Sequence, residues 1–185
     1  MADPSALFRP GLLEGVVVAL AGPVREPVRS ALDALGADTR PLDVASDEDA
    51  PPEAAGAHAL VVDTAERFAG AAGSHDELAP LRAAADDAWV ATRAVANAAW
   101  IEPGEPGGKV VLIAPRPRAG LHADAARAAL ENLARTLSIE WSRYGIRTTT
   151  ITPGPQTTDD DLAGVVAYLV SEAGDYFSGA RLDLR

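Results

Sequence analysis

His122 is suited by type to move a proton, and Arg127, five residues further on, is not. Imidazole is the usual acid/base near neutral pH. A guanidinium stays charged at all working pH values. Their spacing is against a joint role. Five residues on a helix of 3.6 residues per turn set them roughly 140° apart. Positions 123 and 127 do share a face, being four apart, but residue 123 is alanine. His122 is therefore a substitute candidate only, and the plainer reading is a surface histidine at a helix start. Tyr144, at the far end of the same helix, reads as a packing residue. A second pattern lies near the N-terminus. Gly22 follows an apolar run, and Asp43 comes about twenty residues later, the distance at which an acid can hold a ribose hydroxyl. Gly22 by itself reads first as a turn after a strand. Cysteine is absent, which excludes disulfides and thiolate metal sites, and no metal site is expected.

The elements that would position these residues follow from periodicity. Residues 1–14 form a lead-in arm. "GVVVALA" (Gly15–Ala21) is a buried strand, and Glu26–Leu35 a helix with Val28, Ala31, Leu32 and Leu35 on one face and Gly36 past its end. Ala37–Val44 is a weaker strand, 45–57 an acidic loop, and Ala59–Asp63 a buried strand. Asp76–Trp100 reads as one long helix, about 37 Å at 1.5 Å per residue. "GEPGG" breaks the chain before the strand Lys109–Ala114. A long helix over 122–143, a strand Arg147–Thr152, a helix Asp159–Val170 and a short strand near Ala180–Leu184 complete it. Strands alternating with helices imply parallel βαβ units. Continuous apolar runs are what a sheet covered on both faces requires. The expected fold is α/β: a shortened Rossmann-type doubly wound parallel sheet flanked by helices, one domain over 1–185.

Composition narrows the function classes. The chain has 185 residues, 48% hydrophobic and 23% charged, with a net charge of −11. Such a balance argues against nucleic-acid partners, which need basic patches. No apolar run nears the roughly 20 residues that span a bilayer, so no membrane partner is expected. Neither is a signal peptide, and the expected location is cytoplasmic.

The stretch "AARAALENLARTLSIEWSRYGIRTTTITPG", Ala125 to Gly154, resembles the short-chain dehydrogenases/reductases. Their pattern has a Tyr-x-x-x-Lys, a small-residue helix, "E-x-x-x-x-G-I-R" and a strand ending in Pro-Gly. The resemblance extends back through "KVVLIA" and "HALVVDTA" to "LLEGVVVALAG", and on to "DLAGVVAYLVSEAGDYFSGARLDL". The residues it would assign to catalysis are replaced. The lysine position holds Arg127 and the tyrosine position Ala123, whose methyl cannot donate a proton. The serine position falls near Ala114 or Pro115, neither with a hydroxyl. The Asn-Asn-Ala-Gly segment reads Asp63, Thr64, Ala65, Glu66, and Asn97 lies too near its helix end to match the further asparagine. In the family's glycine-rich turn only Gly22 remains; Glu26 and Val28 hold the other two positions and Pro27 removes an N–H. "LDVASDED" around Asp43 better resembles a later family strand, which would mean that a helix and most of a strand are missing and counts against Asp43 as the ribose acid. After "TPGP" the chain runs almost directly into its final helix, leaving little lid.

The resemblance thus implies a catalytically inactive member with no cofactor expected, NAD or NADP entering only if the chain is an oxidoreductase with atypical residues. A small-ligand-binding or regulatory domain is the other alternative. The long helices resemble the pair that, in this family, packs on a second subunit. Trp89, Ala126, Ala129, Leu133, Leu137 and Trp141 are the interface candidates, with Ala126 and Ala129 expected to face outward. The expected partner is a second copy or an active relative, whose site the chain would structure.

Overall fold

Six strands pair into one sheet in the computed structural model, which describes residues 4–43, 52–101 and 107–184. The strands are β1 (Val17–Ala21), β2 (Asp38–Leu42), β3 (Ala59–Asp63), β4 (Lys109–Ile113), β5 (Arg147–Pro153) and β6 (Ala180–Leu184). They lie in the order β2-β1-β3-β4-β5-β6, and every neighbouring pair is parallel. Helices α1 (Glu26–Ala34), α2 (Ala65–Gly70), α3 (Ala79–Val95), α4 (Ala123–Glu140) and α5 (Asp159–Val170) make the connections. This is the Rossmann-like arrangement that the sequence implies. No helix among the described residues is long and apolar enough to cross a membrane.

Alternation along the strands divides the core in two. Val18, Leu20, Val61, Val111 and Ile113 face α1 and α5, which bring Val28, Leu32, Leu162 and Val166. Ala19, Leu60, Val62, Val110 and Leu112 face the opposite layer, where Ala88, Val95, Leu130 and Ala134 pack from α3 and α4. Threonines on β5 suit this layer because their hydroxyls find helix carbonyls: Thr148 Oγ1 donates to Ala134 O at 2.5 Å and Thr150 Oγ1 to Leu130 O at 3.1 Å.

Two elements differ from the expectation. The helix read as Asp76–Trp100 starts at Ala79, because Pro80 stands in its first turn and proline has no amide to continue a helix backwards. It ends as a π-helical turn over Ala96–Trp100. Ahead of it lies α2, six residues that are too short and too rich in Ala and Gly to show a periodic face. In the acidic loop 45–57, residues 44–51 lie outside the described residues, as do 102–106 of the break before β4.

Lys109, the sole lysine of the sequence, closes the far end of the sheet. Its Nζ donates to Val170 O (3.1 Å) and Ser171 O (2.6 Å) at the end of α5 and pairs with Asp175 Oδ1 at 2.7 Å. Val170 O lies in the last turn of α5, whose carbonyls have no donor further along the helix, while Ser171 O also accepts from Gly174 N at 2.9 Å. Lys109→Met should lower stability by about 2 kcal/mol, the range for charged hydrogen bonds, measured by urea unfolding. An unchanged midpoint would show that the cap is dispensable.

Candidate functional site

In an open α/β sheet, ligands bind outside the carboxyl ends of the strands, where the order reverses. Here that switch lies between β1 and β3. Gly22 sits at the end of β1 with φ +80°, and a Cβ there would meet Asp63 O at 3.1 Å. Glycine is needed for both the turn and the close approach. Glu26 opens α1 and accepts from Ser30 Oγ at 2.7 Å, so a carboxylate occupies the helix N-terminus.

The crevice itself is crossed by charge. Arg25, on the turn between β1 and α1, pairs with Asp63 at 3.1 Å and Asp159 at 3.5 Å. Asp63 is 1% exposed. Burial pushes its carboxyl above the ordinary carboxylate range, against the pull of the Arg25 guanidinium and of the Ala65 and Arg25 amides. Arg116, after β4, reaches the same Asp159 at 3.2 Å and donates to Gly154 O at 3.2 Å and Thr157 O at 2.5 Å. The chain Asp63–Arg25–Asp159–Arg116 therefore ties the ends of β1, β3, β4 and β5 together. Sequence reading missed it. Arg25 and Arg116 lie far apart in the chain with no motif around either, so only the fold brings them to one aspartate.

Beside this bridge, on the β2 side, lies an open cleft of ≈ 560 Å³ lined by Gly22, Pro23, Pro41, Leu42, Asp43, Glu66 and Arg67. Asp43 follows β2 directly, and β2 pairs with β1. With β2 beside β1, Asp43 flanks the glycine turn. Its carboxylate lies 3.9 Å from Arg67, which also pairs with Asp87 at 3.2 Å.

Positions 123 and 127 lie where β4, β5 and β6 end. Ala123 is 3% exposed and packs with Phe68, Ala84 and Ala126. Arg127 donates from Nη1 to Pro115 O (2.8 Å) and Pro153 O (2.9 Å), with Asp183 at 3.9 Å from Nη2. Burial pushes its pKa down, partly countered by Asp183 and Asp124. A polar hollow of ≈ 170 Å³ beside it is lined by Asp124, Arg127, Glu131, Thr152, Arg181 and Asp183 among others. His122 precedes the helix rather than lying on it. Its backbone is left-handed at φ 67°, and its buried Nε2 has no hydrogen-bond partner among the described residues. Ala114 and Pro115, at the serine position, are both buried.

The interface candidates divide by burial. Trp89 and Trp141 stack at 6.1 Å between ring centroids, joining α3 to α4, and Trp89 is 38% exposed. Leu133 and Ala129 are half-buried. Ala126 at 0% and Leu137 at 4% belong to the interior, which corrects the expectation that Ala126 faces outward. That side of α4 meets α2 and α3 through the cluster of Phe68 and Ala84.

No family model matches the chain. A probable 2,4-dienoyl-CoA reductase of Bacillus subtilis (strain 168) is 31% identical over 88 residues, covering 32% of this chain and 35% of the relative. The match thus spans about a third of that curated relative's length. Solved structures align over nearly the whole chain. A short-chain dehydrogenase/reductase variant of Serratia marcescens has a TM-score of 0.74 at 19% identity, covering 94% of this chain and 97% of its own. The citronellol catabolism dehydrogenase AtuB of Pseudomonas aeruginosa PAO1 has a TM-score of 0.68 at 19% identity, covering 96% of each. BdcA in complex with NADPH has a TM-score of 0.63 at 17% identity, covering 94% of each. This last structure overturns the expectation of no cofactor, since it points to a nucleotide rather than to none. Glu26, Pro27 and Val28 alter one turn and leave the cleft beside it open. The β2-side cleft, with an acid directly after the strand, fits the ribose half of such a group. The chain has the fold of the short-chain dehydrogenases/reductases, as the resemblance in its sequence implied.

Proposed function

We propose that this chain is a nucleotide-binding subunit on the short-chain dehydrogenase/reductase fold that transfers no hydride itself and assembles, with a second copy or an active relative, through α3 and α4. The observation that carries this reading is the use made of Arg127. Its guanidinium is spent on two backbone carbonyls, and its partner across one helical turn is the methyl of Ala123. Neither group can hand a proton to a carbonyl oxygen. Losing a positioned acid costs about 10²–10⁴ in rate. The assembly half of the reading is supported by the Trp89–Trp141 stack and by Ile139, which is 73% exposed on α4. Exposed apolar groups of this size gather at interaction surfaces.

Two measurements test it together. With NADH and NADPH and a panel of aldehydes and ketones, the purified chain should show no turnover above buffer. Light scattering should find a dimer or larger, which Trp89→Arg combined with Ile139→Arg should split without changing the circular dichroism. A wild-type chain that stays monomeric, and captures no relative when co-expressed with one, would end the assembly reading.

The second reading, an oxidoreductase with atypical residues, is favoured by one observation: His122 combines a left-handed backbone with a buried, unpartnered Nε2. Strained residues gather at functional sites. Turnover that disappears in His122→Ala would establish it and remove the first.

A further inference from the structure

We infer that the nucleotide site is a half-site, built for the adenosine 5′-monophosphate part of a dinucleotide and closed to whatever lies beyond it. The inference rests on the nucleotide-binding reading above and goes past it in naming the part of the ligand that is held.

Three features of the β2-side cleft match the three parts of a nucleotide. Pro23, Pro41 and Leu42 supply an apolar wall for a base. The exposed Asp43 carboxylate, directly after β2, can accept hydrogen bonds from both ribose hydroxyls. Arg67 supplies the cation for the phosphate. Its Nε lies 3.8 Å from the point where a Cβ on Gly22 would stand, so the guanidinium overhangs the glycine at which backbone and phosphate can approach. Arg67 is half free of its neighbours: its contacts are to Asp87 and Asp43, at 3.2 and 3.9 Å, with both Arg67 and Asp87 40% exposed. A phosphate can take the place of the longer of the two.

The rest of a dinucleotide would have to leave this cleft across the ends of β1 and β3 towards β4 and β5. That path is the one crossed by Arg25, with Asp63 buried beneath it and Asp159 on its far side. Arg25 is 13% exposed. A second phosphate there would meet the carboxylates of Asp63, Asp159 and Glu26, and would have to separate a buried ion pair, which is strongly unfavourable. Beyond it, Arg116 holds Gly154 and Thr157 against the β4 loop, and Arg127 holds Pro115 to Pro153. These side chains cross the ends of β4 and β5, and the hollow that remains there is bounded by Arg127, Thr152 and Asp183 on the β6 side.

The test is titration calorimetry of the full chain with AMP, NMN and NAD⁺, the first two being the halves of the third. If both halves were engaged, linking them would raise affinity by about 10²–10⁴ over either half. A half-site predicts instead that NAD⁺ and AMP bind within about tenfold of one another, a difference under about 1.4 kcal/mol, and that NMN does not saturate. Asp43→Ala, at an exposed position, should weaken AMP and NAD⁺ alike by about tenfold or more, the loss expected of charged hydrogen bonds, with an unchanged melting temperature. NAD⁺ binding more than about tenfold tighter than AMP, saturable NMN, or Asp43→Ala without effect would overturn the half-site and leave the nucleotide-binding reading in place. Binding of none of the three would end the nucleotide-binding reading itself.

Discussion

Adding a single methyl at Gly108 should cost this protein about 3 kcal/mol, at or above the upper end of what overpacking usually costs. Gly108 precedes β4, and a Cβ there would lie 2.0 Å from Cε2 of Trp100 and 2.3 Å from its Cδ2. The indole has nowhere to go. It is 1% exposed, sits among Ala96, Val110 and Ile146, and its Nε1 donates to Ala57 O at 2.6 Å. Gly107 is equally confined, since a Cβ would stand 2.6 Å from the carbonyls of Tyr144 and Gly145. The reciprocal change, Trp100→Ala, should cost about 3–5 kcal/mol through lost burial and the cavity left behind. For a chain of this length, each kcal/mol moves the melting midpoint by about 2–4 °C. Both variants should therefore melt well below wild type, with no change in the denaturant slope. Gly108→Ala within about 0.5 kcal/mol of wild type, the ordinary range for surface changes, would mean that the indole is not fixed as described. The same packing removes Trp100 from any role at a partner surface and leaves Trp89 and Trp141 as the tryptophans that can reach one.

Replacing Arg127 by methionine should cost about 2–4 kcal/mol, and the reason separates a brace from a catalyst. Arg127 satisfies two carbonyls on buried prolines, Pro115 and Pro153. Each acceptor left buried and unpaired costs about 1–3 kcal/mol. Removing a guanidinium that burial already disfavours recovers part of this, so the net effect should fall towards the lower end. Arg127→Lys should lie between wild type and Arg127→Met, because an ammonium has three donors but a shorter reach than the Nη1 that donates to both carbonyls. Urea unfolding of the three proteins decides it. If Arg127→Met proves as stable as wild type, the arginine is not a brace, and a role toward a bound ligand becomes the better account.

Much of the fold was legible because the signals are local. Ala59–Asp63 and Asp159–Val170 stand where the apolar pattern places them, and the capping box between Thr158 and Asp161 fixes that helix start through neighbouring residues alone. That the strands pair in parallel followed from their alternation with helices. Less of the site could be read. The replacements at positions 123 and 127 are visible in the sequence, as is the loss of the glycine-rich turn. What stands in their place is not.

The sequence by itself determined the alternation of strands and helices, the parallel sheet, and the absence of a tyrosine and lysine where the resemblance would put them. Each of these depends on residue type and short-range periodicity, which the chain carries wherever it folds. The tertiary structure decided three other matters. It placed Ala126 inside and left Ala129 at the margin, because alanines on both sides of α4 give no periodic contrast until α2 and α3 cover one of them. It set Asp43 beside the glycine turn, because pairing of β2 with β1 is a long-range choice of neighbour. It also joined Arg25 and Arg116 through Asp159 across the switch-point crevice. Charged groups more than forty residues apart in the chain meet only when the strand ends that carry them are packed into one sheet.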